Sequence, residues 1–564
     1  MINSILEEYL EKSGIGKLTI NKSNRPDLCD FQCNDTFRIS KELHKSPIEV
    51  GEELVLKISN LPDRTYYFKK VEFVKPGFIN FILSDDFIND ILLKMNNDTK
   101  FNIKMPKTKE KFVIDYCGAN VAKPLHVGHM RTTIVGESIA RIVRFMGHET
   151  ICDVHLGDYG LQIGQVIYGI IRDNKKIEDI NIMYLDKLYP EISALSKVDE
   201  NVKNECAQIT KKLQDGDEEY QKLWKKIMEV SVADIKGICD YLGAHFDYWY
   251  GESDAYPYLK ELEEMLINKK LLRESEGALV VDVSDINDKK ELPPLLFKKS
   301  NGAYLYASTD LACLLQRKKD FNPDHVLYVT DLRQALHFEQ VFRATEKLGL
   351  FKKEQLEHLG YGTVNGMDGK PFKTRDGKAP KLQSLFDEVK EIFISKKDEN
   401  KNLSNEDLDK IVNAILKYGD LQNSKEKDYI FNIEKFSETV GKTGPYILYT
   451  YLRINKILKD NNYEYTDSKK LSNVIYNESD RNLRIKLFDV EDYVYLAFNN
   501  RNPFYVADYI YDLCLLLNNF YQNNNISSLD DEVKKSDWLF ILSLSNKILK
   551  ELLSLLIIEI PSKM

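Results

Sequence analysis

The chain has 564 residues, 43% hydrophobic and 30% charged, with a formal net charge of −9. Such a length and mix suit a soluble globular protein of three or four domains. They exclude a surface that is basic throughout, though not a local basic groove for a polyanion.

The opening "MINSILEEYLEK" is amphipathic and acidic and lacks the basic and apolar blocks of a signal peptide. The densest apolar stretch, "LLSLLIIEI", is far shorter than the ~20 residues of a membrane span. Cysteines stand at 29, 33, 117, 152, 206, 239, 313 and 514. Only Cys29 and Cys33 are close, and no second pair completes a zinc site. Reduced thiols in a cytoplasmic protein, without membrane contact, are the expectation.

The first hundred or so residues mix a helical start with alternating runs such as "RTYYFKKVEFV" and "KPGFINFIL", and predict a small α+β domain over 1–105. A polar, lysine-rich linker follows. "KFVIDY" then reads as a buried strand, and "HMRTTIVGESIARIVRFMGH" as a helix stopped by Gly147. "TICDVHLGD" is a second strand, and further candidates are "HFDYWYG", "GALVVDV", "AYLYAST", "DHVLYVTD" and "GYGTV". Helical segments alternate with several of these, which predicts a largely parallel, doubly wound sheet over 106–390. The charged region 172–235 reads as inserted helices. From 391 to 564 the strand signal fades and helix-like segments follow one another, a helical bundle. The fold class expected is therefore multidomain α/β: a Rossmann-like catalytic domain between an N-terminal α+β domain and a C-terminal bundle.

Chemistry concentrates in "DYCGANVAKPLHVGHM", where a strand, a short loop and a helix start meet. Unpaired amides and the helix dipole make that place an anion site. Gly128 opens space for a ligand, His126 and His129 can donate to phosphate oxygens, and Lys123 adds fixed charge. The same His-x-x-His could be two zinc ligands, although no third is apparent, or two histidines without a role. A second segment, "GMDGKPFKTRDGKAPKL", is rich in Gly and Lys. It reads as a solvated turn or as a basic loop closing on phosphate, with Lys370 and Lys373 neutralising charge as pyrophosphate leaves.

These segments together resemble a known family. "HVGH" is similar to the His-Ile-Gly-His signature of class I aminoacyl-tRNA synthetases, and "KPFKT" resembles their Lys-Met-Ser-Lys-Ser loop in degenerate form. With "LGDYGLQIG", "YASTDLA", "DGKPFKTRDG" and "KTGPYILYTYLRI", nearly the whole chain resembles an arginyl-tRNA synthetase. The resemblance implies a two-step reaction: arginine's carboxylate attacks the α-phosphate of ATP, and the tRNA 3′-terminal ribose then takes the arginyl group. It implies Mg²⁺ with ATP, no tightly bound metal, and tRNA(Arg) as partner; a monomer is expected.

Family roles pass to matching positions. His126, Gly128, His129 and Lys373 would bind ATP. Lys123 matches an upstream lysine that assists where the loop is degenerate, as it is here: Pro371 and Phe372 depart from the Met-Ser centre and Thr374 replaces the final Ser. Asp115, Asn120, Gln334, Glu252, Tyr306 and Asp310 match the arginine site, and a guanidinium does favour carboxylates in fork geometry. Other readings stay open: Asp310 as a helix N-cap, Asp115 and Glu252 as surface acids. Tyr446, Tyr449 and Arg453, at i, i+3 and i+7, match anticodon-binding positions or form ordinary packing. Met564 matches the family's closing Met. The rivals are a class I synthetase for another amino acid, a non-catalytic RNA-binding relative, and a small-molecule nucleotidyl transferase.

Overall fold

The computed structural model describes residues 2–372, 381–396, 402–465 and 471–564. Two compact units emerge: Pro106–Pro445 with Ala497–Ala507 and Ser554–Met564, and Met1–Met105 with Tyr446–Leu496 and Asp508–Leu553.

The first unit is built on five short strands: β1 (Lys111–Asp115), β2 (Glu149–Leu156), β3 (Tyr248–Gly251), β4 (His325–Tyr328) and β5 (Leu356–His358). Their order is β5-β4-β1-β2-β3, and every neighbouring pair is parallel. The near-continuous apolar runs of β1 and β4 suit strands covered on both faces. From β1 the chain builds outward in one direction through β2 and β3, then returns to the other side for β4 and β5. The crevice between the C-terminal ends of β1 and β4 is therefore the switch point where open α/β sheets bind ligands.

The helices that follow these strands include α1 (Val127–Phe145), α2 (Leu161–Arg172) and, further on, α6 (Tyr306–Asp320) and α7 (Ala335–Leu348); α1 packs on β1 and β2, and α7 on β5. α1 presses closely on β1, since a Cβ at Gly136 would lie 2.3 Å from the Tyr116 ring. The charged insertion is helical, as its composition predicts, and forms α3 (Ile182–Val198), α4 (Glu200–Gln214) and α5 (Glu218–Tyr241).

Three strand expectations are corrected. "GALVVDV" contributes Ala278–Val281 to a separate three-stranded antiparallel sheet, after a tight turn at Gly277 (φ 76°). "AYLYAST" turns into α6 at Tyr306, because Ser308 Oγ accepts the Leu305 N–H and starts a helix there. "GYGTV" gives Val364–Asn365, paired with Tyr429–Ile430 rather than with the main sheet.

In the second unit, a four-stranded antiparallel sheet (21–22, 31–33, 78–83, 68–74 in spatial order) is flanked by helices, the expected α+β arrangement. The remaining chain is helical, including Phe504–Asn523 and Glu532–Leu555. Arg484, fully buried, joins the two parts by donating to Asp480 (2.6 Å) and Asn89 (2.5 Å). Among the described residues no helix is long and apolar enough to cross a membrane.

Candidate active site

The histidines sit at the head of α1, with His126 as N-cap. Gly128 N–H donates to His126 Nδ1 (3.1 Å), and His126 N–H donates to His129 Nδ1 (3.1 Å). Each imidazole thus spends Nδ1 on a backbone amide, so the neutral ring carries its proton on Nε2. The rings lie 4.0 Å apart, centroid to centroid. Burial keeps His126 below its usual pKa; burial, with the charges of His126 and Lys123, holds His129 down to about 3. Two uncharged donors result. Gly128 also has a local duty: a Cβ there would stand 3.0 Å from the His126 ring.

These side chains open on a cavity of about 960 Å³, mouth included, in the crevice between β1 and β4. Tyr361–Val364 form part of its wall, as do Pro371 and Phe372. Arg131, fully buried on α1, fixes that wall by donating to the carbonyls of Lys425 and Lys427 (3.1 Å each) and to that of Gly362.

The "KPFKT" segment enters from a tight turn in which Gly366 N–H donates to Lys370 O (2.7 Å). Lys370 is exposed there. Lys373 and Thr374 lie outside the described residues. Beyond them, Lys381 pairs with His126 in an antiparallel bridge, and Leu382 N–H donates to Leu125 O (3.1 Å). Both ends of the lysine-rich segment therefore flank the imidazole cavity. Lys123 packs its ammonium over the Tyr189 ring (4.8 Å).

A second cavity, about 800 Å³ with its mouth, shares Gly118, Thr330 and Gln334 with the first. Asp115, Tyr306 and Asp310 line it. Asp310 falls in the second turn of α6, whose N-cap is Leu305, so it is not a helix cap. Its Oδ2 contacts His337 Nε2 at 2.5 Å. Asp115 is no surface acid: it is buried and accepts from Arg317 Nη2 (2.6 Å), which also grips Asp153 (2.6 Å). Burial pushes both carboxyls up and Arg317 pulls them back. Tyr306 is 66% exposed, at the mouth. Glu252, just past β3, has its pKa pushed up to about 8 by burial and then by the charges of Asp158 and Asp310. Such a cluster is ready for a cation. Asn120, which forms a parallel bridge with Gly157, and Glu252 are both absent from the two cavity walls.

Elsewhere, Tyr446, Tyr449 and Arg453 lie on the helix Gly444–Asp460. The Arg453 guanidinium lies 4.8 Å from the Tyr449 ring and 4.8 Å from that of Tyr521. Tyr449 is 42% exposed, whereas the Tyr446 hydroxyl accepts from Asn518 (2.9 Å). The segment ending in Met564 is pinned by Ser562, whose N–H and Oγ–H donate to Asp407 (2.6 and 2.8 Å).

Comparison with known proteins identifies the family. Residues 88–433 match the family model of the class I tRNA synthetases (R) catalytic domain. Residues 1–83 match the arginyl tRNA synthetase N-terminal domain, and 447–564 the DALR anticodon binding domain. The chain belongs to the arginyl-tRNA synthetases. It is 39% identical to the arginine–tRNA ligase of Alkaliphilus oremlandii, over 100% of this chain and 99% of that one. It is 40% identical to that of Agathobacter rectalis, over the full length of both. The crystal structure of the Plasmodium falciparum arginyl-tRNA synthetase superposes with a TM-score of 0.79 at 28% identity, covering 100% of this chain and 98% of that one. The Thermus thermophilus enzyme shares the fold (TM-score 0.79, 21% identity, full coverage of both chains). An arginyl-tRNA synthetase activates arginine with ATP and passes it to tRNA, so the chain is an arginine–tRNA ligase and ATP is its substrate.

The motif reading missed several residues the structure brings to these cavities. Thr330, Asp331 and Arg333 stand in the "VTDLRQ" run at the end of β4, a position that the strand-end rule for ligand sites could have flagged. His337 in the second cavity, and Arg317 and Asp158, which line neither cavity but pair with Asp115 and Ser253, carry no local signal, because their partners are distant in sequence.

Proposed function

We propose that the two joined cavities hold ATP and arginine in line for adenylate formation. The observation that carries this is the shared wall of Gly118, Thr330 and Gln334, which puts a neutral imidazole pair on one side and a carboxylate cluster on the other. The triphosphate lies against the Nε2–H groups of His126 and His129 at the head of α1, and its base lies along the backbone of Tyr361–Val364 beside Gly128. The guanidinium of arginine goes to Glu252, Asp310 and Tyr306. Its ammonium end goes to Asp115 and Gln334, and Asn120 steadies the loop beside them.

One carboxylate oxygen of arginine attacks the α-phosphorus while the bond to pyrophosphate breaks, which leaves the mixed anhydride arginyl-AMP. No protein nucleophile takes part. Catalysis comes from alignment and from charge neutralisation, the latter supplied by Lys123, Lys370 and Lys373. The 3′-terminal ribose hydroxyl of tRNA(Arg) then attacks the carbonyl carbon and AMP leaves.

Mg²⁺ accompanying ATP would neutralise phosphate charge as pyrophosphate leaves. Asp331 is the carboxylate lining the nucleotide cavity and would be the protein's contribution there; Arg333 donates to both its oxygens (2.8 and 2.6 Å).

Residues 1–105 and the helices from 391 onward serve tRNA, with Tyr446, Tyr449 and Arg453 at the anticodon. The protein works as a cytoplasmic monomer. Pyrophosphate exchange with tRNA present, across a panel of amino acids, tests the reading. Exchange with arginine is expected; exchange with lysine at a comparable KM refutes it.

A further inference from the structure

The loop Gly157–Gly160 joins β2 to α2, and three of its residues address the acid Glu252. Gly160 has ordinary backbone angles (φ −90°, ψ −174°), so its conformation does not require glycine. A Cβ built there would stand 3.8 Å from Glu252 Oε2 and 3.9 Å from the Tyr306 hydroxyl. The missing side chain therefore keeps free the space between those two polar groups. The backbone of Tyr159, next to it, favours the ionised form of Glu252.

Asp158 is fully buried, and the reaction described above does not use it. Its carboxylate accepts both the N–H (3.0 Å) and the Oγ–H (2.5 Å) of Ser253, the residue after Glu252. On the other side, Gly251 N–H donates to Asp254 (2.9 Å). The backbone around Glu252 is thus held at both flanks. The loop itself is braced from the insertion: Trp224 Nε1–H donates to Asp158 O (2.9 Å) and Gln214 Nε2–H to Tyr159 O (2.9 Å).

We propose that this loop is a specificity determinant for the substrate side chain: Asp158 positions Glu252 through Ser253, and Gly160 keeps open the gap beside Glu252 and Tyr306 that a planar guanidinium fills. The inference rests on the guanidinium pocket proposed above. A guanidinium presents a flat, five-donor face, so a methyl group in that gap displaces it from the carboxylate. A lysine ammonium is a compact point charge on a slim stem and tolerates the same methyl better.

The test is pyrophosphate exchange with tRNA present, with arginine and lysine as amino acids. Gly160→Ala is expected to raise the arginine KM about ten-fold or more, in the range one misplaced methyl costs in a fitted pocket. The ATP KM stays unchanged, and the preference for arginine over lysine falls. Asp158→Ala raises the arginine KM similarly, and Asp158→Asn, which keeps an acceptor for the Ser253 N–H, restores most of the loss. An arginine KM in Gly160→Ala within about two-fold of wild type overturns the proposal. So does an Asp158→Ala enzyme in which ATP and arginine KM rise alike. Asp310→Asn separates the layers: if it leaves the arginine KM unchanged, the pocket falls and this inference with it. If it raises that KM and Gly160→Ala does not, only this inference falls.

Discussion

Replacing Glu252 by Gln should make the free enzyme more stable and its arginine site worse. The carboxyl releases its proton near 8 in the folded chain against an ordinary 4.5. Between those values the unfolded chain is ionised and the folded chain is not, so folding takes up a proton. Stability is therefore lost as pH rises from 4.5, and the loss is complete above 8. At 1.36 kcal/mol per pH unit the ceiling is about 5 kcal/mol. Glu252 keeps partial contact with water, and screening brings the expected gain in Glu252→Gln to about 1–2 kcal/mol. Melting curves at pH 5 and pH 8 measure it. The variant should gain on wild type between the two, by about 1–4 °C for the unit that holds the site. Saturating arginine should raise the wild-type melting point at pH 8 and leave the variant nearly unmoved, because a ligand stabilises only what it binds. A variant that melts below wild type at pH 8, or that gains equally from arginine, refutes the reasoning.

Asp310→Ala should raise the arginine KM by about 10²-fold or more, since it removes one partner of a desolvated charge pair, while the ATP KM holds. His129→Ala should slow pyrophosphate exchange by about 10²–10³-fold, the cost of losing one donor to developing charge, with tRNA affinity by gel shift unchanged. Tyr449→Ala should weaken tRNA binding by about 1–3 kcal/mol through lost stacking without altering exchange kinetics at saturating tRNA. Equal tRNA binding would return that exposed ring to ordinary surface. Arg131→Ala should lower stability by about 3–5 kcal/mol, because it leaves Asp420, 3.5 Å away, as an unpaired buried charge; a urea melt reads it.

The strands and helices of the sheet domain were legible where the pattern was local. β1, β2 and α1 follow their apolar runs, and Gly147 stops α1 with a φ of 90°. Short apolar runs were less informative. "GALVVDV" and "GYGTV" are strands whose partners, not whose composition, decide which sheet they join. "AYLYAST" fails differently, because Ser308 overrides its alternation by capping a helix. At the site, His126 and His129 were readable because one tetrapeptide carries the chemistry. The acids were readable only through the family resemblance. Nothing adjacent to Asp310 shows that His337, in another helix, will contact it, or that Asp115 will share Arg317 with Asp153.

The amide contacts at His126 and His129 tie secondary structure to chemistry through a single pair of nitrogens. A proton added to either Nδ1 would evict a main-chain N–H, so acid would strip a capping contact from the head of α1 at the moment it charged the ring. The depressed basicity of both rings is thus a safeguard for the helix as much as a setting for catalysis.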